Sequence, residues 1–108
     1  MTFEEYQNKA VSLLHSDFNK NVVNSVLGLC GETGEVAEKV KKVMRDKEGI
    51  FDDDSKKEIT KELGDILWYI AVTSSNLGIS FEDIVQCNIE KLTSRKERKT
   101  LQGEGDNR

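Results

Sequence analysis

The chain has 108 residues, of which 36% are hydrophobic and 33% charged, with a formal net charge of −4. This length supports one hydrophobic core rather than two, and the supply of Leu, Ile, Val and Phe is too rich for wholesale disorder. The longest apolar run, Ile66 to Val72, is far short of the roughly 18 to 20 residues that span a bilayer. The N-terminus also lacks a basic and apolar signal layout, so a cytoplasmic protein with no membrane partner is expected.

An acidic balance argues against a nucleic-acid partner, because neutralising phosphates needs a basic surface. The local exception is Lys91, Arg95, Lys96, Arg98 and Lys99 near the C-terminus, interrupted by Glu97, where an anion would be attracted. Cys30 and Cys87 are far apart, with no C-x-x-C pair or neighbouring His. Both are expected as reduced core residues.

Proline is absent and no stretch alternates with the period of a strand, so the chain reads as all-α with four helices. Thr2 and Glu5 have capping-box spacing and open a first helix whose apolar face is Phe3, Tyr6, Ala10, Leu13 and Leu14. A second helix is expected from about Val22 to Arg45, where Val22, Val26, Leu29, Thr33, Val36, Val40 and Val43 recur every three or four residues. Gly28, Gly31 and Gly34 lie within it and suggest a close helix approach or room for a ligand.

Lys47 to Ser55 breaks the period, and Asp54 or Ser55 is expected to cap a third helix running to about Leu77. Asp52 to Asp54 lack the alternating ligands and closing Glu of a calcium loop. Gly78 stops the third helix, and Ser80 with Asp83 has the spacing to cap a fourth, carrying Phe81, Ile84, Val85, Ile89 and Leu92. Residues 1–100 are thus read as a single helical domain and 101–108 as a flexible polar tail.

The chemistry rests on carboxylates. Glu32 and Glu35 stand three apart on the second helix, as do Glu62 and Asp65 on the third, so each pair lies on adjacent turns and can share a cation. Oxygen-only ligands suit Mg²⁺, or Mn²⁺, over softer metals. On the third helix the main apolar stripe is Ile59, Leu63, Ile66, Leu67, Ile70, Ser74 and Leu77, yet Trp68, Tyr69 and Val72 share the carboxylate side. A helix apolar nearly all round is normally covered on both sides, and covered carboxylates demand compensating cations. The covering layer would be a second helical hairpin of the chain or the same hairpin of another subunit, which predicts a homo-oligomer, dimer or tetramer. On the fourth helix Asn88, Lys91 and Arg95 share one edge, with Arg95 suited to a bidentate grip on phosphate and Lys91 to a point-charge contact.

The run G-E-T-G-E-V-A-E from Gly31 to Glu38, followed by K-E-L-G-D-I-L-W-Y from Lys61 to Tyr69, resembles the MazG-type all-α nucleoside triphosphate pyrophosphohydrolases, whose signature is E-x-x-E, a spacer, then E-x-x-D. N-I-E-K-L-T-S-R from Asn88 to Arg95 is similar to that family's third motif, N-x-x-K-L-x-x-R. The resemblance implies Mg²⁺-dependent hydrolysis of a nucleoside triphosphate to the monophosphate and pyrophosphate by water attacking the α-phosphorus. It implies Glu32, Glu35, Glu62 and Asp65 as metal ligands and Glu35 or Glu38 as the proton acceptor. Lys91 and Arg95 would hold pyrophosphate and Asn88 a phosphate or sugar, while Trp68 or Tyr69 would stack on a base and His15 would reach the nucleotide. The rival readings are a non-catalytic helical interaction protein, or a nucleotide sensor that binds without turnover.

Overall fold

The computed structural model describes residues 1–14, 16–99 and 102–108; His15 and the expected boundary between domain and tail at 100 and 101 lie outside them. Four helices are present among the described residues, with no strand: α1 (Phe3–Ser12), α2 (Val22–Asp46), α3 (Asp53–Asn76) and α4 (Phe81–Glu97), with a short 3₁₀ turn over Asp17–Lys20. The all-α, four-helix expectation holds. No helix among the described residues is long and apolar enough to cross a membrane.

Local chemistry sets the helix starts. Thr2 Oγ1 accepts from the Glu5 N–H at 3.1 Å, as the capping-box spacing predicts, and Asn21 Oδ1 accepts from the Val23 N–H at 2.8 Å to open α2. The cap of α3 is Asp52, not Asp54 or Ser55: its carboxylate accepts from the Ser55 N–H at 2.8 Å and is flanked by Lys47 Nζ at 3.1 Å. The first aspartate of the run is the one with extended backbone, so the helix starts earlier than expected. Ser80 stands at the N-cap position of α4 but its side chain makes no capping bond. Gln7 of α1 replaces it, accepting from the Phe81 N–H at 3.1 Å while donating to Ile79 O at 3.0 Å and Ser74 Oγ at 3.3 Å. Gly78, at φ +69°, lets the chain leave α3 in the left-handed conformation, and the Ile79 N–H closes the end on Ser74 O at 2.8 Å.

The long hairpin of α2 and α3 is the frame, and α1 lies along α3. At the far end of that layer Ala10, Ala71 and Phe81 are buried together, with Tyr6, Trp68, Ile70 and Val85 packed around them and Phe3 stacked on Phe81 at 5.0 Å. The side of α3 bearing Trp68 and Val72 is therefore an inner one, whereas Leu63, Leu67 and Leu77 of the expected main stripe stay exposed. The reason is supply: α1 and α2 occupy the other flanks, and α4 reaches α3 and α1 but makes no close backbone approach to α2. The Cα radius of gyration is 16.6 Å, against about 13 Å for a compact chain of this length. Cys30 and Cys87 are free thiols but exposed, which corrects their assignment to the core.

Candidate functional site

The seam of the α2–α3 hairpin is read rung by rung. At one end Thr73 donates to Ser25 Oγ at 3.0 Å and Asn76 to the same oxygen at 3.2 Å; next, the ring of Tyr69 lies on Gly28. Toward the turn, Lys39 pairs with Glu58 at 3.8 Å and Lys47 donates to Ser55 Oγ at 2.9 Å. Between these rungs stand the carboxylates. One oxygen each from Glu32, Glu62 and Asp65 lies within 4.8 Å of the others, Glu32 and Glu62 half-buried and Asp65 exposed. The acidic side of α3 thus faces α2 of the same hairpin, a cover that the expectation of a second hairpin or a second subunit did not include.

Electrostatics show the strain of this grouping. Burial first, then the Glu62 carboxyl within hydrogen-bonding reach, then the charges of Asp65, Glu62 and Glu35, push the Glu32 carboxyl above its ordinary range. Among the described residues no Lys or Arg forms an ion pair with Glu32, Glu35, Glu62 or Asp65. Three hard oxygen donors, crowded and without a side-chain counter-ion, fit a small divalent cation well.

Glu35 is exposed and outside the three-oxygen group, although its charge is felt by Glu32. Glu38 is paired with Lys41 at 3.2 Å, and that hydrogen bond is the main reason its carboxyl sits below the usual range. Trp68 is half-buried and its indole N–H donates to Ala10 O at 3.1 Å, tying α3 to α1, while Tyr69 meets it edge-on at 5.0 Å. Tyr6 is a neighbour that the sequence reading missed: burial, then the Asp65 charge, raises its phenol. Only the packing of α1 on α3, across a long stretch of chain, brings Tyr6 there; periodicity marks it simply as apolar-face.

The basic edge of α4 forms a separate cluster. Asn88 and Lys91 line an open groove of about 450 Å³ with Ile79, Asp83, Ile84 and Cys87. Arg95 is 3% exposed. Its Nη2 donates to the Asp106 carbonyl and lies 3.5 Å from Asp106 Oδ1, which is 3.4 Å from Lys91 Nζ. Lys91 first and Arg95 second hold the Asp106 carboxyl below its ordinary range. Of the two helices that carry the acidic centre, α4 packs against α3 and does not meet α2.

Comparison with known proteins supplies the family. The chain is similar to the Gene 37 protein of Mycobacterium phage L5, 45% identical over 82 residues that make up 76% of this chain and 72% of that protein. It is also similar to the uncharacterized protein YvdC of Bacillus subtilis (strain 168), 39% identical over 44 residues, 41% of this chain and 42% of YvdC. No solved structure gives a significant match. The MazG nucleotide pyrophosphohydrolase domain matches residues 22–100, a span that takes in both carboxylate helices and the basic edge of α4, and the chain belongs to that family.

Proposed function

We propose that this chain is a Mg²⁺-dependent nucleoside triphosphate pyrophosphohydrolase, converting a ribo- or deoxyribonucleoside triphosphate and water to the monophosphate and pyrophosphate, in the service of the cytoplasmic nucleotide pool. The observation that carries the reading is the convergence of Glu32, Glu62 and Asp65 from two helices, with no ion-paired counter-charge among the described residues. A bound divalent cation supplies Lewis acidity toward phosphate oxygens and water. The protein's part is to hold that charge with Glu32, Glu62 and Asp65, to accept a proton from the attacking water at Glu35, and to grip the pyrophosphate oxygens with Lys91 and Arg95.

The functional unit in this reading is a homo-oligomer, dimer or tetramer. Support comes from the exposed apolar flank of Leu63 and Leu67 on α3 and of Ile89 and Leu92 on α4, which a second copy would cover while bringing a basic edge toward an acidic centre.

The test is pyrophosphate release from a panel of nucleoside triphosphates with and without Mg²⁺, for the native chain, Glu35→Ala and Asp65→Asn. Magnesium-dependent release that falls by roughly a hundredfold or more in both variants is expected, the scale of losing a catalytic proton acceptor or charge stabiliser. A folded native chain that releases no pyrophosphate from any nucleotide overturns the reading and favours a sensing role.

A further inference from the structure

The basic edge of α4 holds a carboxylate supplied by the chain itself. Arg95 contacts both the carbonyl and the side chain of Asp106, Lys91 contacts the same side-chain oxygen, and Arg98 Nη1 donates to Arg108 O at 2.6 Å. Residues 102–108 thus lie over the end of the helix. A carboxylate presents anionic oxygens to the same donors that a phosphate would use.

We propose that segment 102–108 is an internal competitor for the phosphate-binding edge, with the Asp106 carboxylate seated on Lys91 and Arg95 where a phosphate group of the substrate would bind. This inference rests on the reading of Lys91 and Arg95 as phosphate donors. Arg95 is almost wholly buried, so its guanidinium is not free to swing out and greet a phosphate elsewhere. A phosphate arriving at this edge meets Asp106 on the same donors. The Asp106 side chain is itself 85% exposed, and ion pairs at such exposure are weak and salt-screened. The segment therefore acts as a displaceable strap that lowers affinity, rather than a plug that blocks the site. The sequence Gly103-Glu104-Gly105-Asp106 also sets a second negative charge beside the contact, which adds to the repulsion of an incoming polyphosphate.

Calorimetric titration of the full chain with inorganic pyrophosphate in metal-free buffer tests this, comparing the native protein, Asp106→Asn and Lys91→Gln. The expected result is roughly two- to fivefold tighter binding in Asp106→Asn, the scale of one exposed ion pair, a gap that closes as salt is raised, and weaker binding in Lys91→Gln. Equal or weaker binding in Asp106→Asn, with pyrophosphate still dependent on Lys91, overturns the strap and leaves the phosphate-binding edge standing. No pyrophosphate binding by any of the three proteins, together with no triphosphate hydrolysis, removes the strap and the proposed function alike.

Discussion

The ring of Tyr69 lies so close to Gly28 that a β-carbon on the glycine would stand 2.2 Å from Tyr69 Cε1 and 2.4 Å from Cζ. The missing side chain is what lets α2 and α3 approach one rung away from the carboxylates. Gly28→Ala gains about 1 kcal/mol of helix propensity but forces the ring aside against Trp68, an overpacking cost of about 1 to 3 kcal/mol. Net destabilisation in urea unfolding is expected for Gly28→Ala, and neutral or stabilising behaviour for the same change in a Tyr69→Ala background. A Gly28→Ala protein at least as stable as the native chain would contradict the close contact.

The crowding of Glu32, Glu62 and Asp65 makes stability and function pull in opposite directions. Without divalent cations, Glu62→Gln is expected to relieve like-charge repulsion and raise unfolding free energy by up to about 1 kcal/mol, the range for partly exposed charge pairs, while the proposed triphosphate hydrolysis should be lost. Under the proposed function, added Mg²⁺ should raise the melting temperature of the native chain by mass action and do so much less for Glu62→Gln. Thermal melts with and without Mg²⁺ check both halves, and an unchanged native melting temperature would count against cation binding at the seam.

Much of this site was legible in the sequence, and the reasons for the exceptions are physical. Carboxylates three apart on two helices announced shared faces, and the apolar character of α3 on its acidic side demanded a cover. That the cover is α2 itself depends on hairpin register, which periodicity does not set. Cys30 and Cys87 looked like core because thiols usually are, yet both are exposed. Asp52 displaced Asp54 as the cap because three adjacent aspartates carry equivalent local signals, and Lys47 across the turn favours the first. The roles of Gln7, Tyr6 and Asp106 gave no local signal, since they exist only through contacts with distant parts of the chain.

Gln7 bonds to the end of α3, the loop after it and the start of α4. Gln7→Ala leaves the N–H of Phe81, a residue 3% exposed, without its acceptor, and a loss of about 1 to 3 kcal/mol is expected. Chemical denaturation measures it, and hydrogen exchange should show the Phe81 amide losing protection first. A variant as stable as the native chain would mean that Ser80 can take over the cap.

Asp52 has its carboxyl lowered to about 2, chiefly by the Ser55 backbone N–H and hydroxyl and then by Lys47. A folded-state value below the unfolded one, about 3.9, contributes stability that is fully present above the unfolded value and lost as pH falls through the folded one. The stability difference between native and Asp52→Asn, a neutral residue that still caps, should therefore shrink as pH is lowered from about 4 to about 2. Urea midpoints across that range provide the check, and a difference that stays constant would show that the charge of Asp52 contributes nothing.

Every carboxylate of the acidic centre comes from α2 and α3, which are joined through only the short turn Lys47–Asp52. Closing a short turn loses little chain entropy, and a hairpin can zip from its turn toward the rung of the carboxylates. The acidic centre can thus assemble on a nascent hairpin before α1 or α4 has docked, so a cation present during folding meets its ligands on a partly folded chain. Under the proposed function, metal supply would then bear on how fast the protein folds as well as on what the finished molecule can do.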